Sequence, residues 1–141
     1  MTSPTTLADF TLASLDEVKS AILSSSDATC DLDILPTKLV KSCLDALLPP
    51  ITHLINLCLK ESTFPSCFKS ALVTPLIKKQ SLPKDDLASY RPISHLNFLS
   101  KTLERIIQNR LLSHLQRHPY MSPLQSAYRK FYSVETALLK I

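Results

Sequence analysis

Ala71-Leu72-Val73-Thr74-Pro75-Leu76-Ile77-Lys78-Lys79 is the stretch on which the reading of this chain turns. Its first seven residues alternate, putting Ala71, Val73 and Ile77 on one face of an extended strand and Leu72, Thr74 and Leu76 on the other. Pro75 has no N–H to give to a ladder, which marks an edge strand or an interruption rather than a central position. Residues 78–90 read as a polar loop, and Arg91-Pro92-Ile93 is extended again. Lys78 ends the apolar strand and Arg91 opens the second stretch, so the two cations bracket one loop and can converge across a hairpin.

Working outward, the flanks are helical. Upstream, residues 1–13 form a Thr/Ser-rich lead expected to be disordered. Ser14-Leu15-Asp16-Glu17 then has the spacing of a capping box, followed by a short helix with Leu15, Val18 and Ile22 inward. A second helix opens at Pro36 with Leu39, Val40, Cys43, Leu44 and Leu47 on one arc; Pro49-Pro50 is expected to stop it. A third, near Ile51–Glu61, turns Ile51, Leu54, Ile55 and Cys58 inward, and Thr63-Phe64-Pro65 breaks it. Downstream, a long helix spans about Phe98–His118, with Leu99, Leu103, Ile106, Ile107, Leu111 and Leu115 drifting along one side. Pro119 and Pro123 bracket a turn, and Ser133 caps a last helix. The fold class is therefore α+β and predominantly helical.

Composition narrows the function classes. With 141 residues and 45% hydrophobic content the chain can build a core. No apolar run reaches the ~18 residues of a membrane span, and the polar N-terminus has no signal-peptide pattern. An intracellular location, nucleus or cytoplasm, is expected rather than secretion. Cys30, Cys43, Cys58 and Cys67 form no C-x-x-C pair and read as free thiols, buried where they fall on apolar helix faces. His114 and His118 have metal-pair spacing but no third ligand, and histidine near a helix C-terminus is favoured by the dipole in any case. Asp85-Asp86 follows Pro83-Lys84 in a polar loop, where adjacent acids are ordinarily solvated, so no metal site and no catalytic residue is assigned. The chain contains no glycine, which excludes a glycine-rich phosphate loop and leaves any left-handed turn to Asn, Asp or strain. Charge is divided unevenly. Residues 1–68 carry 4 Lys/Arg against 8 Asp/Glu, a net of −4, and residues 69–141 carry 12 against 4, a net of +8. That imbalance suggests a polyanionic partner for the second half, the alternative being a solvated surface with chance bias.

Several segments occur in a characteristic order. They are Phe64-Pro65 with Phe68-Lys69; Val73-Thr74-Pro75-Leu76-Ile77-Lys78-Lys79; Tyr90-Arg91-Pro92-Ile93-Ser94; Leu96-Asn97-Phe98-Leu99-Ser100-Lys101; Gln125-Ser126-Ala127-Tyr128-Arg129; and Glu135-Thr136-Ala137-Leu138-Leu139. Cys30-Asp31-Leu32-Asp33, Pro36-Thr37 and Leu39-Val40-Lys41 precede them. This series, over about residues 14–141, resembles the N-terminal, fingers-side part of reverse transcriptases (RNA-directed DNA polymerases) of non-LTR, LINE-type and jockey-like retrotransposons. Ala127 stands where the family usually has glycine, and Ser133-Val134-Glu135-Thr136-Ala137 departs from its Ser-Thr-Glu-Thr-Ala.

The resemblance implies a partial right-hand polymerase with the palm absent: a helical extension over 14–68 and a truncated fingers fragment over 69–141. In the intact parent, Mg²⁺ ions on palm aspartates serve the polymerase chemistry. The resemblance puts the first such aspartate beyond Ile141, so this chain alone is expected to be inactive and to need no cofactor. It also implies an RNA or DNA template-primer and a dNTP as partners, no membrane, and the palm as packing partner. By the same resemblance Lys78 and Arg91 face the nucleotide triphosphate, while Gln125 and Arg129 touch the template. Tyr128 packs beneath a base or fills the core. Lys101 and Arg105 meet nucleic-acid backbone or line a solvated helix face. A helical protein-interaction module, or a non-functional relic of the same element, is the alternative. A helix-turn-helix binder is disfavoured by the lack of a short recognition helix after a tight turn.

Overall fold

The computed structural model describes residues 7, 10–117, 120, 122, 124–127, 129 and 131–139. His118, Pro119, Pro123, Tyr128 and the final Lys140-Ile141 lie outside the described residues, and with them the histidine pair, the proline-bracketed turn and the role considered for Tyr128. Residues 9–107 form one compact unit, and residues 108–141 belong to a second. The elements run α1 (Leu15–Leu23), α2 (Thr37–Ser42), α3 (Leu44–Lys60), α4 (Ser66–Lys69), β1 (Ala71–Ile77), a 3₁₀ turn (Leu87–Ser89), β2 (Tyr90–Leu96), α5 (Phe98–Arg117) and α6 (Val134–Leu138). The result is a mixed, mainly helical fold carrying one two-stranded antiparallel sheet. Among the described residues, no helix is long and apolar enough to cross a membrane.

The start of the fold follows the sequence reading in part. Ser14 caps α1, its hydroxyl accepting the Glu17 N–H at 3.1 Å. The inward face is Val18, Ala21 and Ile22, whereas Leu15 is exposed. The lead expected to be disordered is tied down at its end. The Asn56 amide takes both backbone groups of Ala13, accepting its N–H at 2.6 Å and donating to its carbonyl at 3.0 Å. Ala13 is buried and Phe10 packs against the core.

Pro49-Pro50 does not stop a helix. The break falls earlier, at Cys43, and α3 continues through both prolines to Lys60. Two facts explain this. Leu44, Leu48, Ile51, Ile55 and Leu59 form one buried stripe that persists through the prolines, and each such side chain contributes about 1.5–3 kcal/mol on burial. That total outweighs two prolines at roughly 3 kcal/mol each. The prolines themselves are exposed, and the carbonyls that lose an i+4 amide partner belong to exposed Asp45 and Ala46, on the solvent side of the helix. The earlier break carries Cys43 out to solvent and leaves Leu39 exposed, correcting the expected inward arc; Val40 and Leu44 are buried as read.

Without glycine, α3 ends on a serine. Ser62 takes φ 51°, the left-handed region, and the Thr63 N–H reaches back to the Cys58 carbonyl at 3.0 Å. The short α4 then buries Phe68 and leads into β1.

α5 begins directly after β2, and its buried positions include two hydroxyls that the apolar reading passed over. Ser100 donates to the Phe68 carbonyl at 3.0 Å and Thr102 to the Phe98 carbonyl at 2.9 Å. Beside them Phe98, Leu103 and Ile106 complete the core of the 9–107 unit, and Leu111 is exposed. The α5 N-terminus is capped twice: Asn97 accepts the Ser100 N–H at 2.7 Å, and the Asp33 carboxylate accepts the Phe98 N–H.

Candidate nucleic-acid interface

β1 and β2 pair in a register that sets Leu72 opposite His95, Thr74 opposite Ile93 and Leu76 opposite Arg91. Pro75 falls opposite Pro92. Opposed residues alternate between exchanging hydrogen bonds and pointing their amides outward. The Lys78 N–H donates to the Ser89 carbonyl at 2.8 Å, two residues beyond the Leu76–Arg91 pair, so the hydrogen-bonded pairs are those of even-numbered β1 residues. The proline pair therefore occupies a position where neither strand needs an N–H, which is how seven residues with a central proline remain a regular strand.

One face of this ribbon presents Leu72, Thr74 and Leu76 beside Arg91, Ile93 and His95. Lys78 continues the same face, diagonal to Arg91, a spacing of about 7–8 Å. The two cations that sequence reading brought together across a hairpin thus share one face at its loop end. Both are exposed. Lys78 Nζ donates to the Ala88 carbonyl at 2.7 Å, which holds the ammonium at the loop mouth, and the Arg91 side chain has no hydrogen-bond or ion-pair partner among the described residues. The loop is ordered by its own contacts. Asp86 accepts the Ala88 N–H at 2.9 Å, and the Tyr90 hydroxyl donates to the Lys84 carbonyl at 2.9 Å. Asp86 is thus a turn cap. Among the described residues, no group of three His, Cys, Asp or Glu side chains could hold a metal ion.

Sequence reading missed the other end of this face. His95 Nε2 lies 2.8 Å from Thr74 Oγ1, one of the two being the donor. Sequence reading makes only Arg91-Pro92-Ile93 extended, whereas β2 runs from Tyr90 to Leu96; continuing the alternation places His95 here.

The remaining expected contacts are dispersed. Lys101 is exposed on α5. Arg105, one turn on, donates from Nη1 to the Ala21 carbonyl at 3.0 Å and to Ser24 Oγ at 2.9 Å, so part of its fork is spent closing the C-terminal end of α1. In the second unit, Arg129 donates to the Gln125 carbonyl at 3.2 Å, and its guanidinium lies 4.5 Å from the Tyr132 ring centre. Gln125 and Arg129 are therefore linked to each other.

The unit 9–107 also holds an apolar pocket of about 340 Å³ lined by Leu32, Leu35, Val40, Leu47, Phe68 and Leu99 among others. Its one acid, Asp33, is committed to the Cys30 and Phe98 amides. It offers an anion nothing, and the ribbon is the better candidate.

In sequence, 101 residues of the chain are 36% identical to the RNA-directed DNA polymerase from mobile element jockey of Drosophila melanogaster, covering 70% of this chain and 11% of that protein. Over 78 residues the chain is 36% identical to the probable RNA-directed DNA polymerase from transposon BS of the same organism, covering 55% of this chain and 8% of the relative. The chain spans about a tenth of the length of these curated relatives. No family model matches the chain, and no solved structure matches it.

Proposed function

We propose, from the premise that this chain is related to a segment of the RNA-directed DNA polymerases of non-LTR mobile elements, that it supplies a template- and nucleotide-binding surface of such a polymerase. The observation that carries this reading is the placement of Lys78 and Arg91 on one face at the mouth of the β1–β2 loop. Phosphate oxygens suit that pair: the guanidinium forks onto two of them and the ammonium adds a point charge. Gln125 and Arg129 serve the template in this reading, and a palm with its Mg²⁺ ions completes the enzyme. The acids described in this chain do not fit a Mg²⁺ site, because Asp85 and Asp86 are exposed loop residues and Asp86 is engaged in capping. No catalytic step is therefore assigned to this segment.

The test is dNTP affinity of the 141-residue chain, wild type against Lys78→Ala, Arg91→Ala and the surface control Lys19→Ala. Lys19 makes only an exposed 3.9 Å ion pair with Asp45. A charge-assisted contact of about 1.5–3 kcal/mol corresponds to roughly tenfold or more in affinity for each ribbon variant. Equal effects in all three variants, or none in the first two, reject the assignment.

A further inference from the structure

A small notch of about 50 Å³ lies between the turn that ends α1 and the first turns of α5. Ser25, Ser26, Lys101, Thr102 and Arg105 line it together with the apolar Ala28 and Phe98. Lys101 and Arg105 are four residues apart on α5, so one helix face presents both. Arg105 is held rigidly there, since Nη1 donates to Ala21 O and Ser24 Oγ. A guanidinium has five N–H donors, so the Nε and Nη2 hydrogens are left for a ligand. The Lys101 side chain has no hydrogen-bond or ion-pair partner among the described residues. A third cation closes the other side of the turn: Lys41 Nζ donates to the Ser25 carbonyl at 2.6 Å and pairs with Asp27 at 2.7 Å.

The charges do not cancel. Asp27 is taken by Lys41, and Glu104, exposed on α5, makes no ion pair with Lys101 or Arg105. The hydroxyls contribute little, because Ser25 donates to the Ile22 carbonyl and Thr102 to the Phe98 carbonyl. Ser26 is the hydroxyl left over. The notch is thus a cationic recess whose Ser25, Ala28 and Phe98 carbonyls are already bonded, and its volume exceeds the roughly 10–15 Å³ that one water requires. It admits a tetrahedral oxyanion and excludes a nucleobase.

We propose that this notch binds one phosphate group of a nucleic-acid backbone, with Lys101 and the free N–H groups of Arg105 as its ligands. The choice of nucleic acid rests on the polymerase-segment reading above; the notch itself is separate from the ribbon face. A backbone phosphate anchored here sets the register of the strand without reading its sequence.

The experiment measures binding of a labelled oligouridylate to the full chain by fluorescence anisotropy over a range of salt. The variants are Lys101→Gln, Arg105→Lys, the double variant Lys78→Gln/Arg91→Gln, and Lys19→Gln as control. Lys101→Gln should weaken binding about fivefold and lower the salt slope by about 0.7, the contribution of one phosphate on a single strand. The Lys101 side chain makes no hydrogen bond or ion pair among the described residues, so the melting temperature of this variant should match wild type. Arg105→Lys keeps the charge and loses the fork, so it should lose affinity as well, and its melting curve is recorded because Nη1 also supports α1. Inorganic phosphate, followed at the Ser25 and Ser26 amide resonances, should saturate the wild-type notch at severalfold lower concentration than in Lys101→Gln. Wild-type RNA affinity and slope in Lys101→Gln, or an unchanged phosphate response, overturns the notch; loss in the ribbon double variant at the same time leaves the polymerase reading standing. Loss in Lys101→Gln with none in the ribbon variant supports the notch and removes the ribbon assignment. A wild-type chain that fails to bind oligouridylate at low salt overturns both.

Discussion

Asp33 caps a helix that begins 65 residues later: its Oδ1 accepts the Phe98 N–H at 2.5 Å while Oδ2 accepts the Cys30 N–H at 2.7 Å. The carboxylate therefore closes its own turn and fixes where β2 hands over to α5. Cys30 adds a weak S–H contact to the His95 carbonyl at 3.7 Å, so the same turn touches both the end of β2 and the start of α5. Asp33→Ala strips acceptors from two backbone amides and should destabilise the chain by about 2–3 kcal/mol, Asp33→Asn by less. Urea unfolding with an unchanged m-value checks this, and a loss below about 0.5 kcal/mol would show that the cap is idle.

Ser62 holds a left-handed backbone at φ 51° that costs a residue with a Cβ about 1–2 kcal/mol. Ser62→Gly removes that cost but loosens the unfolded chain. The net expectation is stabilisation of roughly 0.5–1 kcal/mol, seen as a melting point raised by about 2–4 °C. No gain in melting temperature would mean that the serine conformation carries no strain.

The four thiols should separate into two pairs under an alkylating reagent. Cys43 and Cys67 are exposed, while Cys30 and Cys58 are buried. Burial also raises the Cys58 thiol above its usual range, reducing the reactive thiolate further. Mass spectrometry should find rapid labelling at Cys43 and Cys67, with Cys30 and Cys58 protected until the chain unfolds. Early labelling of Cys58 would contradict the packing of α3.

Lys41 donates to Asp27 and its charge adds to that hydrogen bond, so the Asp27 carboxyl lies below its usual 3.8. A depressed folded-state value means that the pair stabilises the chain above the unfolded value of 3.8 and that this stabilisation is lost as pH falls through the lower folded-state value. Comparing wild type with Asp27→Asn, the stability difference should be constant near neutrality and shrink as pH drops below about 4. Because the Asp27 carboxylate is exposed to solvent, the whole effect should be small and should fade in high salt. A difference independent of pH from neutrality to strong acid would refute the ion pair.

Local patterns were the legible part of this sequence. The alternation from Ala71 to Ile77 located β1 to the residue, and Ser14 and Ser133 marked their helix starts. The break in α3 was not legible, because a proline pair is a stop only when the surrounding burial does not outweigh it, and the stripe from Leu44 to Leu59 does. Within the candidate site, the bracketing of one loop by Lys78 and Arg91 could be read from spacing, since a hairpin converts sequence proximity to its loop into spatial proximity. The commitment of Arg105 to α1 could not, since it joins residues 84 apart. Nor could Ser62 be anticipated as a left-handed residue, since neither Asn nor Asp stands there.

Pro75 and Pro92 face each other at mid-ribbon, where each strand would otherwise turn an amide outward. Each rim thus has its central donor deleted at the same height. A third strand, from another copy or from an extended peptide, would meet a gap halfway along whichever rim it approached, which disfavours cross-strand recruitment and fibrillar stacking. Val73 and Leu76 can therefore stay exposed on a projecting hairpin at little risk of self-association through its edges. Whatever engages this ribbon must lie across a face, and specificity has to come from side chains.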